Sequence, residues 1–245
     1  MDKVKKKPHI FLIFVLLLAL TGMVYIGTDS FQIKEIIVVG NEKHDVDDII
    51  KKSGISYEDN MLKLDKKLAK QRIEMDPYLE VISISNKYPH DVIIEIKERE
   101  AIAIIPYLNS YFMIDKECYI LEIAKEVGDI QYPLIQDLGI KNFLVGKKLV
   151  AEEQYKLNAL MKVLESMYSL ELESQVSEII MSDSDDIYLM LTDGIQVRIG
   201  QAVDMDKKLL WLESQKIKDV CRGIVGGILD LSAASRPVVI YPDES

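Results

Sequence analysis

Histidine is scarce in this 245-residue sequence, and its positions exclude the usual catalytic arrangements that depend on it. His9, His44 and His90 lie far apart in the chain, so they offer neither the spacing of a metal site nor a partner for a nucleophile. No Gly-x-Ser-x-Gly elbow is present, and the Gly-Lys pair at 146–147 is not followed by the Ser or Thr of a phosphate-binding loop. The sequence therefore predicts no catalytic residues, no cofactor and no metal site.

Positive charge is also in deficit. The formal net charge is −10 and becomes −13 beyond residue 27, whereas nucleic-acid binding depends on clustered Lys and Arg. Four basic residues at 66, 67, 70 and 72 do cluster, but a solvated helix face is the expected explanation. The acidic stretch 182–186 lacks the Gly and Glu that complete a calcium loop. We therefore expect no nucleic-acid partner and interpret the acidic stretch as a hairpin tip.

Cysteine is limited to Cys118 and Cys221. An even pair outside the cytoplasm permits a disulfide. A chain of this size does not require such a bridge, and Cys221, at the end of a predicted helix, could equally be a small buried apolar side chain. The sequence leaves the pairing open.

The N-terminal residues combine clustered lysines with a long uncharged run. Residues 3–7 contain four lysines, and residues 10–26 contain no charged side chain. A bilayer-spanning helix needs about 17 to 25 apolar residues, so we predict a transmembrane anchor at 10–27. A cleaved signal peptide is the alternative, but bulky residues at 23–26 stand where peptidase sites need small ones. The positive-inside rule places residues 1–9 in the cytoplasm as a tail and sends the bulk of the chain outside.

Residues 31–99 show the signals of a small α+β domain. A strand at 33–39 is followed by one helix with Asp45 as its N-cap and a second helix with Asp65 as its N-cap. Two β-branched runs at 79–86 and 92–98 then flank a turn containing Pro and Asp, which predicts a hairpin. The predicted order is βααββ, with two helices covering one face of a sheet.

Residues 100–241 predict a second, larger β domain with flanking helices. The expected strands are at 101–107, 110–114, 119–123, 132–135, 176–181, 187–191, 195–199, 227–231 and 236–241. One helix is marked by an apolar stripe consisting of Leu157, Leu160, Met161, Leu164, Met167 and Tyr168. A second helix is expected at 204–220, and residues 242–245 form a tail. The fold class is therefore α+β, with a mixed sheet in the second domain.

The final strand is the best candidate for an exposed sheet edge. Pro237 is tolerated mainly on edge strands, and Tyr241 is an aromatic residue of the kind enriched at binding hot spots. An edge strand presents unpaired backbone groups that an extended segment of a partner can join. We therefore expect this strand to bind protein.

The motifs in this sequence resemble those of the FtsQ/DivIB family of bacterial cell-division proteins. Val38, Gly40 and Asn41 after the first strand, the stretch at 60–64 and the βααββ order are similar to a POTRA domain. The family junction Glu-Arg-x-Pro-x-Ala corresponds to residues 98–103, where Ala101 replaces the proline. The resemblance implies a POTRA domain at 31–99 and a β domain at 100–241.

The same resemblance implies a function and partners. Members of this family hold FtsL-like and FtsB/DivIC-like bitopic division proteins through the C-terminal region, and other divisome members through the POTRA domain. The implied contact residues are Asp230, Ser232, Pro237, Val238, Val239, Ile240 and Tyr241.

We therefore predict a non-enzymatic divisome scaffold, anchored once in the cytoplasmic membrane and located at the division septum. The alternative is a POTRA-bearing envelope translocation or chaperone component, which would normally accompany a membrane β-barrel, and no series of alternating lipid-facing strands is present. A membrane-tethered hydrolase with paired carboxylates is a third possibility, although no motif indicates one.

Overall fold

The computed structural model describes residues 7–26, 31–128, 132–183, 185–214, 217 and 227–241. The chain divides into two compact units, residues 1–98 and residues 99–245, and each is described by itself.

The first element of unit 1 is helix α1, Lys7–Ile26. Its apolar side chains between Phe11 and Leu20 are exposed, for example Phe11 at 70% and Leu16 at 61%. Judged over the described residues, no helix combines the length and the apolar character that crossing a bilayer requires.

The rest of unit 1 has the predicted βααββ order. Its elements are β1 (Glu35–Val39), α2 (Val46–Ser53), a 3-10 helix (Met61–Lys63), α3 (Lys66–Ile73), β2 (Leu79–Lys87) and β3 (Asp91–Glu98). The sheet order is β1-β3-β2, with β1 parallel and β2 antiparallel to the central β3.

Helix boundaries in unit 1 follow the capping residues in the sequence. Asp45 accepts a hydrogen bond from the backbone N–H of Asp47, and Gly54 ends α2 in the left-handed region at φ 68°. Asp65 caps α3 by accepting from Leu68 N–H. These three residues fix both ends of α2 and the start of α3.

Strand β3 supplies the centre of the unit 1 core. Its side chains alternate between the two faces of the sheet, so Val92, Ile94 and Ile96 are buried beneath the helices. Glu95 and Lys97 are exposed on the other face. The alternation confirms the half-buried strand that the sequence predicts.

Glu98, the last residue of β3, closes the loop that follows β1. Its carboxylate accepts backbone N–H groups from Glu42, Lys43 and His44 at 2.9 to 3.1 Å. Burial opposes ionisation, but the three donors prevail and lower the pKa of Glu98 to about 2. The side chain is only 8% exposed, so it acts as a fixed anion that holds residues 42–44 in place.

In the described part of unit 2, nine strands form one mixed sheet. The strands of this sheet are β4 (Ala103–Tyr107), β5 (Ser110–Ile114), β6 (Ile120–Ala124), β7 (Leu134–Gln136), β10 (Val176–Ile180), β11 (Ile187–Leu191), β12 (Gln196–Gly200), β13 (Ile228–Asp230) and β14 (Val238–Ile240). Two further strands, β8 (Ile140–Asn142) and β9 (Val150–Ala151), form a separate two-stranded ribbon. The order in the large sheet is β14-β13-β12-β11-β10-β7-β4-β5-β6.

Helices α4 (Gln154–Ser169) and α5 (Met205–Glu213) contribute to the core of unit 2. A short 3-10 helix, Glu173–Gln175, leads into β10. The predicted stripe of α4 is buried at Leu157, Leu160, Leu164 and Met167, whereas Tyr168 is 37% exposed. Tyr168 therefore lies at the edge of the stripe, where its hydroxyl donates to Glu100.

Two features of unit 2 differ from the sequence prediction. The β8–β9 ribbon was not predicted, because two strands of three and two residues carry too little periodic signal. Helix α5 was expected to reach Val220, but it ends at Glu213, where Ser214 turns to an extended conformation at ψ 117°. Residues 215, 216 and 218–220 of the predicted helix lie outside the described part of the chain.

Arg99 and Asp115 form a buried ion pair near the start of unit 2. Both side chains are less than 10% exposed, and the guanidinium also lies 3.8 Å from the centroid of the Tyr119 ring. Asp115 accepts the backbone N–H groups of Glu117 and Tyr119, which shapes the turn between β5 and β6.

That turn places Cys118 in the left-handed region at φ 62° with no exposed surface. Cys118 is a free thiol, and burial raises its pKa to about 12. The other residue of the possible disulfide, Cys221, lies outside the described residues.

Candidate functional site

The last strand of the chain, β14, forms one edge of the nine-stranded sheet. It pairs antiparallel with β13 through the partners Ile228 and Ile240, Leu229 and Val239, and Asp230 and Val238. Within the ranges that the structure describes, no strand pairs with its other side. The edge position agrees with the proline that precedes the strand.

The backbone groups that face the open side of β14 can be assigned from one hydrogen bond. Leu231 donates its backbone N–H to Arg198 of β12, so odd-numbered residues of β13 face β12 and even-numbered residues face β14. Val238 and Ile240 consequently pair with β13. The N–H and C=O of Val239 and the N–H of Tyr241 point to the open side, and Pro237 contributes a carbonyl there without a donor.

The predicted contact residues of β14 divide between the two faces of the sheet. Val238 and Ile240 share one face and are 47% and 45% exposed, and Tyr241, just beyond the end of the strand, is 65% exposed. Val239 instead packs against the unit 2 core. A partner strand could therefore meet the backbone of Val239, while its side chains would lie beside Val238, Ile240 and Tyr241.

The other two predicted contact residues, Asp230 and Ser232, interact with each other at the end of β13. One carboxylate oxygen of Asp230 accepts the backbone N–H of Ser232 at 2.8 Å, and the other accepts from Arg198 at 3.3 Å. Burial raises the pKa of Asp230, but the bonds from Ser232 and Arg198 outweigh that effect and lower it. Asp230 therefore remains an anion that is already engaged within unit 2.

Arg198 is the centre of a charged cluster that the sequence did not reveal. Its Nε donates to Asp186 at 2.7 Å, and Tyr188 donates its hydroxyl to the same carboxylate at 3.0 Å. The hydrogen bond from Arg198 is the main reason that the pKa of Asp186 is lowered. Strand register places Arg198 beside both Tyr188 and Asp230, so the cluster extends across three strands next to Val238. Only strand pairing brings these residues together.

A cavity of about 420 Å³ adjoins this cluster, and Arg198, Ser232, Asp204 and Lys208 contribute to its lining. Lys208 is only 3% exposed and donates to the carbonyls of Ile199 and Gln201. Burial lowers its pKa. The cavity therefore has cationic and anionic groups on its walls and suits polar side chains better than an apolar ligand.

Trp211 connects α5 to the loop that leads into β14. Its indole N–H donates to the carbonyl of Ala234 at 2.9 Å. We expect Trp211→Phe to lower the free energy of unfolding by about 1 to 2 kcal/mol, because it removes this bond and reduces packing. Faster amide exchange at 232–236 than in the wild type, with unchanged exchange in β10, would show that stability is lost at this loop. Faster exchange throughout unit 2 would contradict a local role for Trp211.

Metal ions in proteins are bound by groups of His, Cys, Asp and Glu side chains. None of the described His, Cys, Asp and Glu side chains form a group of three suited to a metal ion.

Comparison with known proteins matches both units. Residues 31–99 match the model of the FtsQ-type POTRA domain, and residues 103–214 match that of the C-terminal domain of cell division protein FtsQ/DivIB. The second match ends before β13, so it does not include the β14 edge.

Individual relatives are similar over most of the chain. Cell division protein DivIB of Clostridium botulinum strain Hall is 27% identical over 96% of this chain and 93% of its own. Cell division protein FtsQ of Syntrophotalea carbinolica is 24% identical over 78% of this chain and 67% of its own. A solved structure of the major extracytoplasmic domain of DivIB from Geobacillus stearothermophilus is 16% identical, with a TM-score of 0.34 over 53% of this chain and 98% of that one.

A βααββ unit that matches a POTRA model, followed by a mixed-sheet domain that matches the FtsQ/DivIB C-terminal model, defines a class of bacterial division proteins rather than an enzyme. The chain belongs to the FtsQ/DivIB family. Family membership implies a role in the divisome, and the family is non-enzymatic.

Proposed function

We propose that this protein is a membrane-anchored divisome scaffold whose β14 edge binds an extended segment of a partner. The observation that carries the proposal is the open side of β14, where Val239 offers both a donor and an acceptor next to three exposed side chains. An incoming strand would satisfy these groups and extend the sheet by one strand.

The proposed partners are the FtsL-like and FtsB/DivIC-like bitopic division proteins. They would contact residues 237–241 directly. Asp230 and Ser232 support the same surface, because their mutual hydrogen bond fixes the start of the loop that leads to β14. Other divisome members would bind the POTRA domain in unit 1.

The proposed anchor is residues 10–27, with residues 1–9 in the cytoplasm and the bulk of the chain outside. Two observations support it: residues 10–26 contain no charge, and described apolar side chains of α1 between Phe11 and Leu20 are about half exposed or more. Such a surface is unfavourable in water and favourable in hydrocarbon.

A fluorescent fusion of the full chain tests the proposed function in cells of its own organism. We expect the fusion to gather at midcell in dividing cells, because a scaffold must be present where septal wall is made.

A variant with residues 237–241 replaced by Gly and Ser should lose co-purification of the FtsL-like and FtsB/DivIC-like proteins. An even envelope distribution, together with unchanged co-purification, would contradict the proposal.

A further inference from the structure

One end of unit 1 gathers three segments around Gln32, and we call it the Gln32 end. Gln32 forms a β-bridge with Asn60, and its carbonyl lies 3.1 Å from Nδ1 of His90 in the turn between β2 and β3. Ile33 exchanges backbone hydrogen bonds with Glu58 and Asp59. The start of the described chain after α1 is thus fixed to both the 56–63 segment and the hairpin turn.

Aromatic and apolar side chains protrude at this end. Tyr57 is 56% exposed, Tyr88 is 62% exposed and Leu62 is 40% exposed. Phe31 packs edge-on against Tyr88, with ring centroids 6.5 Å apart. Residues 31–98 contain four aromatic residues, and three of them lie here. The fourth, Tyr78, directly precedes β2 and is at least half covered.

The charges at the Gln32 end are mixed and exposed. Lys63 is exposed, and Lys87 is 57% exposed and pairs with Asp91 at 3.3 Å. Glu58 and Asp59 are exposed as well, and Asp59 accepts the backbone N–H of Ser56. The named groups carry two positive and three negative charges, so the surface is close to neutral and combines exposed tyrosines with exposed lysines. This composition is typical of side chains at the boundary between headgroups and acyl chains.

The covalent chain limits how far this end can be from the anchor. Four residues separate Ile26, the last residue of α1, from Phe31, and five residue steps span at most about 18 Å. An end tethered within that distance of a bilayer and carrying exposed tyrosines has the membrane surface as its nearest apolar partner.

We propose that the Gln32 end of unit 1 docks on the outer surface of the membrane, with Tyr57, Leu62 and Tyr88 in the interfacial region and Lys63 and Lys87 at the level of the phosphates. Interfacial aromatic side chains anchor a protein at a defined depth. Docking would therefore fix the height and tilt of unit 1 over the bilayer. This inference rests on the proposed anchor.

The opposite end of unit 1 provides a matched control position. Met75 is 82% exposed and lies just before β2, whereas Tyr88 follows the last residue of that strand. The nine residues of β2 separate the two ends by about 26 Å. A docked Gln32 end keeps Met75 in water.

The test uses the full chain, with Cys221→Ser, reconstituted into vesicles of phosphatidylcholine and phosphatidylglycerol with brominated acyl chains. A bimane label is placed at Ser56→Cys, next to Tyr57, or at Met75→Cys, while buried Cys118 remains unlabelled. We expect quenching at position 56 to be at least about threefold stronger than at position 75. Replacing both Leu62 and Tyr88 with Ser should reduce quenching at position 56 to the level at position 75.

Three results would overturn the inference. Equal quenching at the two positions, in a chain that resists alkaline extraction, rejects docking and leaves the anchor intact. A label at position 56 that is shielded from aqueous iodide but not quenched by lipid indicates a second copy as the covering surface. Release of the chain by alkaline wash rejects the anchor and docking together, whereas the β14 proposal would still stand.

Discussion

Val239→Pro should weaken binding of the FtsL-like and FtsB/DivIC-like extracytoplasmic domains by at least about tenfold. The substitution removes the only N–H within β14 that faces the open side, while the ladder bonds to β13 come from Val238 and Ile240. A partner carbonyl would lose its donor, and an unsatisfied buried polar group costs about 1 to 3 kcal/mol. Proline is tolerated on edge strands, so the sheet itself should survive.

Val239→Ala is the matched control for this experiment. Both substitutions remove the valine side chain that packs against the core, and each should cost about 1 kcal/mol of stability. Only proline also removes the outward N–H. Titration of purified partner domains against both variants therefore separates backbone pairing from packing. Equal affinities for the two variants would show that no strand is added at β14.

The order of elements in unit 1 was predictable because several of its boundaries have a local cause. Asp45 and Asp65 cap helices through their own side chains, and Gly54 ends α2 in a conformation that favours glycine. The alternating residues of β3 define its buried face without reference to distant parts of the chain. Local chemistry of this kind can be read directly from sequence.

The topology of unit 2 was less predictable because it depends on pairing between distant residues. Strand β7 has three residues and lies between β4 and β10, in parallel with both. Nothing in its sequence specifies those neighbours, and the cost of closing long loops is not visible in a local pattern. The same reasoning applies to the β8–β9 ribbon, whose two short strands pair with each other and place Ile140 and Ala151 against the unit 2 core.

In the candidate site, too, some features follow from local sequence and others depend on pairing between distant residues. Pro237 indicated an edge strand, because proline lacks the donor that an internal strand needs. The ion pairs of Arg198 with Asp186 and Asp230 join β12 to residues 12 and 32 positions away. A single exposed arginine on a strand carries no sign of such partners until the register is known.

Glu98→Gln should destabilise unit 1 by about 2 to 3 kcal/mol at neutral pH. The glutamate carboxylate accepts three backbone N–H groups, whereas a glutamine amide has one oxygen and would direct its own N–H groups towards at least one donor. The pKa of Glu98 falls from 4.5 to about 2 on folding. This shift limits the contribution of the ionised carboxylate to the free energy of unfolding to about 3 kcal/mol.

The pH dependence of this effect distinguishes charge from packing. Because the folded pKa lies below the unfolded value, the stabilisation is complete above pH 4.5 and is lost as the pH falls towards about 2. The difference in unfolding free energy between the wild type and Glu98→Gln should therefore be constant from pH 7 to pH 5 and shrink below pH 4.5. Denaturant unfolding measures the free energy of unfolding of both proteins at each pH. Hydrogen exchange of the backbone amides at 42–44 reports whether the loop that Glu98 holds has opened.

Glu95→Gln controls for the loss of a carboxylate from the same strand. Glu95 is exposed on the solvated face of β3, where it accepts from the hydroxyl of Ser83, so its substitution should change stability by less than about 0.5 kcal/mol. A Glu98→Gln difference that persisted undiminished at pH 2 would mean that shape, rather than charge, holds residues 42–44. If only Glu98→Gln loses stability, and only at pH values above 2, then the buried Glu98 anion is the group that holds this loop of the POTRA domain.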